Sequence, residues 1–242
     1  ALGEQDIAIG GGTESMSNAP LMCLTARNGQ KTGNQVLMDA MLGALYDPFE
    51  NIHMGVTAEN VAERCGITRG AQDEAAVESH RRAIAAIQAG YFKEQIVAVE
   101  VKTRNGFVAF DTDEHPRADM TLDRLASMKP AFKKDGTVTA ANASTMNDGA
   151  SALVLVSKEY AEKNNLKPLA KILGYADAEH APEWFTTAPA KAVPLALKNA
   201  GLTLADVDLH EVNEAFAVVA MAKFYHVGST RSGGVHHARS WD

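Results

Sequence analysis

The sequence predicts an α/β fold, and three patterns lead to this prediction. Residues 6–10 place Ile7 and Ile9 on one side of a short strand. Residues 151–157 (SALVLVS) are a continuous apolar run, which is typical of a strand buried on both faces. Beyond that run, strand-like and helix-like segments alternate, as they do where helices cover a sheet. Further strands are expected at 169–175 and 207–212, and helices at 158–164, 190–199 and 214–223.

Residues 16–146 interrupt this alternation and are expected to form an excursion from the sheet. The first strand is predicted to end in a tight turn at the glycines 10–12. Within the excursion, Gly90 follows an amphipathic segment and is expected to stop a helix there. Helices are predicted at 35–45, 57–65, 68–88 and 121–128, and a strand at 95–101.

The composition excludes several functional classes. The 242 residues are 46% hydrophobic with a formal net charge of −7, so they can bury a core but lack the basic surface of a nonspecific nucleic-acid binder. Cys23 and Cys65 form no zinc motif or disulfide framework, which fits a reducing, cytoplasmic compartment. Apolar stretches such as 215–222 are far shorter than a bilayer span. We therefore expect neither nucleic acid nor a membrane among the partners.

Both ends of the sequence are unusual. The first residues pass directly into a predicted strand, without an initiator Met or a signal peptide. The segment 227–242 is rich in Gly, Ser, Arg and His and has neither helical nor strand periodicity. We expect a chain that is truncated at its amino terminus and ends in a cut or scrambled tail.

Four short motifs could carry chemistry, and each has a simpler structural explanation. Residues 10–17 (GGGTESMS) could bind phosphate or form a sharp turn after a strand. His53 could line a ligand channel or be a hydrogen-bonded structural residue. Ser144 lacks the GxSxG context of a serine hydrolase, so it could simply mark a turn. Asn213 and Glu214 follow a predicted strand, where α/β sheets place ligands, but they could also cap a helix.

Taken in order, the motifs resemble those of the thiolase family. They are GGGTESMSNAP (10–20), HMGVTAENVAE (53–63), KPAFKKDGTVTAANASTMNDGA (129–150) and VNEAFA (212–217). The resemblance extends over residues 7–221 and is greatest to acetyl-CoA acetyltransferases and bacterial broad-specificity β-ketothiolases. The NEAFA segment separates this sequence from sterol-carrier thiolases and ketoacyl synthases, which have different residues there.

The resemblance implies a layered αβαβα fold, incomplete here, with a large inserted loop domain. Residues 1–15 would end the amino-terminal half, and 16–146 would be the loop domain, with coenzyme A binding and oligomer contacts. Residues 147–226 would be part of the carboxy-terminal half, and 227–242 a divergent tail.

The implied activity is acyl transfer between thioesters. It would be thiolysis of a 3-ketoacyl-CoA or Claisen condensation of two acyl-CoA molecules, acting on acetoacetyl-CoA and somewhat longer chains. Coenzyme A would be a substrate or product, with no tightly bound cofactor and no metal. The full-length form would be a homo-oligomer, a tetramer or dimer.

The resemblance also implies roles for individual residues. Asn213 matches the catalytic asparagine that holds a water in an oxyanion hole. The residues that match coenzyme A-binding positions are His53, Met54 and Ser144 along the pantetheine, Phe132, Phe216 and Leu45 on the apolar walls, and Arg117 at the nucleotide end. Ala141 and Thr145 stand where the family usually has glycine, which is expected to narrow the turn beside Ser144.

The catalytic cysteine of the family is not matched in this sequence. In the family that thiol lies near the start of a helix, where the helix dipole lowers its pKa, and it would lie upstream of residue 1. The GHP histidine and the acid–base cysteine would follow residue 226. Cys23 and Cys65 do not match the nucleophile, and His236 and His237 do not match GHP. We therefore expect the chain to be inactive alone; the alternative function is a catalytically incomplete fragment that retains the fold or weak coenzyme A binding.

Overall fold

The computed structural model describes residues 3–227, which contain both strands and helices. The strands are β1 (Ile7–Ser15), β2 (Leu21–Met22), β3 (Met38–Asp39), β4 (Val99–Thr103), β5 (Gly106–Phe110) and β6 (Asp148–Val156). The α-helices are α1 (Ala40–Ala44), α2 (Met54–Cys65), α3 (Arg69–Ala89), α4 (Leu122–Ala126), α5 (Lys158–Lys163), α6 (Pro189–Ala200) and α7 (Ala217–Val227). The strands pair antiparallel as β1 with β6, β2 with β3, and β4 with β5.

Strand β1 runs straight through the glycines 10–12 and stays paired with β6 over nine positions. A Cβ on Gly11 would lie only 2.7 Å from the carbonyl oxygen of Ser151, so glycine lets the two backbones approach closely. The predicted tight turn is therefore wrong. Residues 10–15 belong to a strand, and this structure does not support a phosphate-binding loop there.

Strand β6 forms as predicted from its apolar run, but the prediction that both its faces are buried is wrong for the described chain. Leu153 and Val154 point to opposite faces and are 69% and 68% exposed. Within residues 3–227, β1 is the strand hydrogen-bonded to β6. One neighbouring strand pairs the backbone of β6 and leaves its side chains open to solvent.

The strands predicted at 169–175 and 207–212 do not form in the described chain. Leu169 is 94% exposed, and Ile172 and Tyr175 are also exposed. A strand is stable only when a neighbour satisfies its backbone N–H and C=O groups. None of the six described strands pairs with these two segments, so their apolar spacing alone does not make them strands.

Four of the predicted helices are confirmed, and in α3 the sequence specifies both ends. Thr68 caps α3 by accepting a hydrogen bond from the N–H of Ala71, and Gly90 ends that helix with a φ of 78°. Gly201 ends α6 in the same left-handed conformation. The helices α2, α3, α5 and α6 correspond to the segments predicted at 57–65, 68–88, 158–164 and 190–199.

Other boundaries differ from the predictions. The helix expected at 35–45 is the shorter α1, because the Asp39 carboxylate caps its first turn. The helix expected at 121–128 is α4, and the strand expected at 95–101 is β4, which begins at Val99 and pairs with an unpredicted strand, β5. Helix α7 begins at Ala217 and not at 214.

The main hydrophobic core lies where α2 packs against α7. Its buried residues include Ala58, Val61, Val138, Phe216, Val218, Val219 and Ala222. A smaller cluster joins α3 to α4 and consists of Ala76, Leu125 and Ala141. Apolar burial is the dominant favourable term in folding, so these two clusters fix the position of the segments that precede α2 and α7.

Candidate active site

A short antiparallel contact brings Leu45, His53 and Met54 together. Tyr46 and His53 form an isolated β-bridge, and the N–H of Met54 donates to the carbonyl of Leu45 at 2.8 Å. The chain between them makes a turn that returns to the start of α2. Three of the residues matched to coenzyme A-binding positions are thereby neighbours.

His53 is both the cap of α2 and part of an aromatic stack. Its Nδ1 accepts the N–H of Gly55 at 2.9 Å, and its ring stacks on Phe132 with centroids 4.7 Å apart. The ring of Tyr46 meets it edge-on at 5.1 Å. Burial lowers the pKa of His53. Because Nδ1 is an acceptor, the proton of the neutral ring lies on Nε2, which can donate to a ligand. The structural explanation for His53 is thus correct, and it leaves a ligand role open.

Phe132 joins His53 to the start of α7. It meets Phe216, a buried member of the main core, edge-to-face at 6.0 Å, and it packs with Met54 against that core. A Cβ on Gly55 would lie 2.2 Å from the Phe132 ring, so only glycine allows the ring to rest on the first turn of α2. We call Tyr46, His53, Phe132 and Phe216 the aromatic cluster.

Ser144 is held beside this cluster by backbone hydrogen bonds. Its N–H donates to the carbonyl of Ala215 at 2.9 Å, and Ala143 forms an antiparallel bridge with Phe216. The N–H of Ala217 donates to the carbonyl of Asn142 at 2.9 Å. The Ser144 side chain remains exposed. Residues 142–144 and 215–217 therefore form one unit that contains the matched residue Phe216, and Phe132 links this unit to His53.

Asn142 anchors that unit, and the sequence analysis missed its role. Its side chain is buried: Oδ1 accepts the N–H of Thr139 at 2.8 Å, while Nδ2 donates to Asp73 Oδ1 at 3.0 Å and to the carbonyl of Thr137 at 3.1 Å. A polar side chain buried in this way must be fully hydrogen-bonded. The adjacent Ala141 packs in the smaller core, which accounts for a methyl group at this position.

Asn213 and Glu214 lie before α7 and not within it. The helix starts at Ala217, so both the predicted helical position of Glu214 and the alternative of Asn213 as a helix cap are wrong. The Asn213 side chain is exposed, four residues before the helix. Two residues further along the chain, the carbonyl of Ala215 accepts the N–H of Ser144. This hydrogen bond holds the segment that carries Asn213 beside residues 142–144.

Arg117 has no described contact with the aromatic cluster. Its backbone N–H donates to His80 Nδ1 at 3.3 Å, and its guanidinium Nε lies 3.8 Å from Asp119. Burial lowers the pKa of His80, and the charges of His115 and Arg117 lower it further. Half of the Arg117 side chain is exposed, so it remains accessible to an anionic ligand.

The two cysteines lie apart from the matched positions. Cys65 ends α2, whose first residue is Met54, and a rise of about 1.5 Å per residue separates the two by roughly 16 Å. Cys23 lies in the loop after β2, where its thiol donates to Gln35 at 3.0 Å. Its hydrogen bond with Thr25 lowers the pKa of Cys23. His236 and His237 lie outside the described residues.

Within residues 3–227, no group of three or more His, Cys, Asp or Glu side chains is placed to hold a metal ion. No helix in the same range has the length and apolar character needed to cross a membrane.

Two family models match this chain. The model of the thiolase N-terminal domain matches residues 1–159, and that of the thiolase C-terminal domain matches residues 166–233. Together they account for most of the sequence. The chain belongs to the thiolase family, which confirms the resemblance found in the motifs.

Two curated relatives illustrate the match. The β-ketothiolase BktB of Cupriavidus necator is 54% identical over 222 residues, which are 91% of this chain and 56% of that protein. A cytosolic acetyl-CoA acetyltransferase of Gibberella zeae is 49% identical over 229 residues, 94% of this chain and 58% of that protein. The chain thus spans little more than half the length of these curated relatives.

Solved structures give the same result. The Bacillus anthracis acetyl-CoA acetyltransferase aligns with a TM-score of 0.91 and 44% identity over 95% of this chain and 58% of that one. The human mitochondrial 3-ketoacyl-CoA thiolase in complex with CoA aligns with a TM-score of 0.87 and 41% identity over 92% of this chain and 56% of that one. These matches confirm the predicted thiolase-like α/β fold.

Proposed function

We propose that this protein takes part in thiolase-type acyl transfer, either thiolysis of a 3-ketoacyl-CoA or condensation of two acyl-CoA molecules. The observation that carries the proposal is the hydrogen bond from Ser144 to Ala215, which joins the 142–144 segment to Phe216 and the aromatic cluster. Relatives with 54% and 49% identity are named as a β-ketothiolase and an acetyl-CoA acetyltransferase. Coenzyme A is then a substrate or product and not a resident cofactor.

The pantetheine arm of coenzyme A would pass His53, Met54 and Ser144. The neutral His53 can donate from Nε2, and the exposed Ser144 hydroxyl offers a second polar contact. Leu45, Phe132 and Phe216 would form the apolar walls. Arg117 would bind the phosphates, since a guanidinium forms paired hydrogen bonds with phosphate oxygens.

Asn213 would stabilise the enolate oxygen of the acyl thioester through a bound water. Its side chain is exposed beside Ala215, and it caps no helix, so its amide is available for this purpose. Donors aimed at a developing oxyanion are among the largest contributions to enzymatic rates.

We also infer that neither Cys23 nor Cys65 is the acyl-carrying nucleophile. A nucleophile must lie within reach of the acyl carbon, and Cys65 sits at the far end of α2 from Met54. The described chain alone would then bind coenzyme A without turnover. The domain boundaries, the homo-oligomeric state and the cytoplasmic location remain predictions of the sequence.

A chimera tests the proposal directly. The 222 residues of the C. necator β-ketothiolase that match this chain are replaced by the chain's own sequence, and thiolysis of acetoacetyl-CoA is measured. Turnover by the chimera, together with none by the 242-residue chain, is the expected result. A folded chimera that binds coenzyme A but has no turnover would support the incomplete-fragment alternative.

Point variants then locate coenzyme A on the chain. Ser144→Gln should weaken binding in a calorimetric titration, because the longer side chain occupies the pantetheine path. Ser151→Gln is the matched control, since Ser151 is exposed on β6 outside the proposed path. Equal dissociation constants for the two variants would remove Ser144 from the site.

A further inference from the structure

A cavity of about 280 Å³ lies where the last turn of α2 meets the 3₁₀ helix Pro182–Thr187 and the start of α6. Its position differs from that of the aromatic cluster: Arg64, on its rim, is roughly 15 Å along α2 from Met54. The volume is slightly below the range of about 300–1,000 Å³ that is usual for sites of drug-sized molecules, so only a small ligand would fit. The thiolase activity proposed above does not use this cavity.

The inner wall of the cavity is apolar. Val61 is fully buried, and Ala190 and the indole of Trp184 continue the same surface. The guanidinium of Arg64 lies over the Trp184 ring, 4.6 Å from its centroid, which holds the arginine at the rim. The Thr187 hydroxyl already donates to the Trp184 carbonyl at 2.8 Å. The wall can therefore accommodate a hydrocarbon group, because it has few polar atoms that would need a hydrogen-bond partner.

The rim of the cavity is positively charged. Arg64, His180 and Lys191 line it, and none of its lining residues is acidic. None of the three takes part in an ion pair within residues 3–227. Partial burial lowers the pKa of His180, and the positive charges of Lys191 and Arg64 lower it further, against an opposing effect of Glu183. The three basic side chains thus line one cavity, which gives its rim a positive potential.

We propose that this cavity binds a small monocarboxylate, with its carboxylate between Arg64 and Lys191 and its hydrocarbon tail against Val61, Ala190 and Trp184. An arginine and a lysine on one rim supply charge-assisted donors to the carboxylate. The apolar wall distinguishes such a ligand from inorganic phosphate, which has no group to bury there. A neutral amide of the same length would contact the apolar wall equally well but would give the two cations no negatively charged partner.

Cys65 lines the cavity and reports on its occupancy. In alkylation by iodoacetamide, the thiolate forms a C–S bond and iodide leaves with the electrons of the broken C–I bond. The reagent is neutral, so the charged rim does not change its local concentration. Peptide mass spectrometry measures the rates at Cys65 and Cys23 in the same sample. Cys23 lies in the loop after β2 and serves as the internal standard.

Three probes at equal concentration distinguish the possible ligands: hexanoate, hexanamide and inorganic phosphate. Hexanoate should slow alkylation of Cys65 at least threefold and leave Cys23 unchanged, while hexanamide and phosphate should have little effect. Equal protection by hexanamide would overturn the proposal, because the cavity would then select no charge. Protection by phosphate as strong as that by hexanoate would also overturn it, because the tail would contribute nothing.

Variants that remove one positive charge from the rim provide a second test of the same proposal. Lys191→Gln and Arg64→Gln should each raise the hexanoate concentration needed for half-protection several-fold. Lys102→Gln, on β4, makes the same change in net charge away from the cavity. It should leave the hexanoate concentration needed for half-protection unchanged. Unaltered protection in both rim variants would contradict the proposal. The wild-type comparison of hexanoate with hexanamide needs no variant, so it decides the matter even if a variant folds poorly.

Discussion

The Ser79 hydroxyl donates a 2.6 Å hydrogen bond to Glu214 Oε2, although the two residues are 135 positions apart in the chain. This bond connects the middle of α3 to the segment that leads into α7. Glu214 is the neighbour of Asn213, so the bond restrains the residue proposed to stabilise the oxyanion. Together with the hydrogen bond from Ser144 to Ala215, it fixes the segment from two sides. Asn213 therefore owes its position to tertiary contacts and not to a helix.

Replacement of Asn213 tests its proposed role. In the chimera, Asn213→Ala should lower turnover by roughly 10²-fold, the effect typical of a lost oxyanion-hole donor. The midpoint of thermal unfolding should stay nearly unchanged, because Asn213 is exposed and caps no helix.

Ser79→Ala is the companion variant, since it removes the restraint on Glu214 and leaves Asn213 itself in place. It should lower turnover much less than Asn213→Ala and weaken folding by about 1 kcal/mol. Full turnover in Asn213→Ala would end the oxyanion assignment.

Arg117 is predicted to bind the phosphates of coenzyme A. Arg117→Ala should weaken coenzyme A binding by about 1.5–3 kcal/mol if the guanidinium contacts a phosphate directly, because hydrogen bonds to charged groups have this magnitude. Isothermal titration calorimetry measures the change. Arg124→Ala is the matched control, because Arg124 pairs with the same Asp119. The same loss in both variants would indicate a general effect of charge and not a direct contact by Arg117.

Gly55 is predicted to be indispensable for packing of the aromatic cluster. In Gly55→Ala the new methyl would lie 2.2 Å from the Phe132 ring, so the ring must move, at a cost of about 1–3 kcal/mol. Gly70→Ala, in α3, has no atom within 4 Å of the new methyl and should stabilise the protein slightly, since alanine favours helix. Urea unfolding compares the two, and equal stability would mean that Phe132 accommodates the methyl without strain.

The sequence predicted local structure well where both ends of an element are encoded nearby. Thr68 and Gly90 specify α3 from within the segment itself. The strands depended on distant partners: β1 continues past Gly11 because the β6 backbone lies close to it, a contact 140 residues away in the chain. Leu169 lies in a segment with strand-like spacing that pairs with no described strand and stays exposed. Short-range patterns cannot supply such pairings.

The candidate site shows the same division. The order of the motifs identified His53, Phe132 and Phe216, which belong to the aromatic cluster, and Met54, which packs against the same core. It did not identify Asn142, whose anchoring role depends on Asp73, 69 residues earlier in the chain. In the sequence, an asparagine between two alanines could have suggested a buried, hydrogen-bonded position. It could not have shown which groups form hydrogen bonds with that side chain.

The cap formed by His53 makes the stability of α2 depend on pH. Burial holds the pKa of His53 below its ordinary value, and Nδ1 can accept the Gly55 N–H only while it carries no proton. Between the lowered folded pKa and the unfolded value of about 6.5, the unfolded chain binds more protons, so the free energy of unfolding rises with pH in that window. The contribution of His53 is complete above the unfolded pKa and is lost as the pH falls toward the folded one.

His53→Asn isolates this contribution, because asparagine also caps helices but does not titrate. Denaturant unfolding at several pH values should show that the wild type gains stability relative to the variant as pH rises through this window, with a constant difference above it. His80 and His180 also have lowered pKa values, but they are present in both proteins and their effects cancel in the comparison. Parallel curves for the two proteins over the whole range would show that protonation of His53 does not disturb the cap, and that its ring is held by Phe132 and Tyr46 alone.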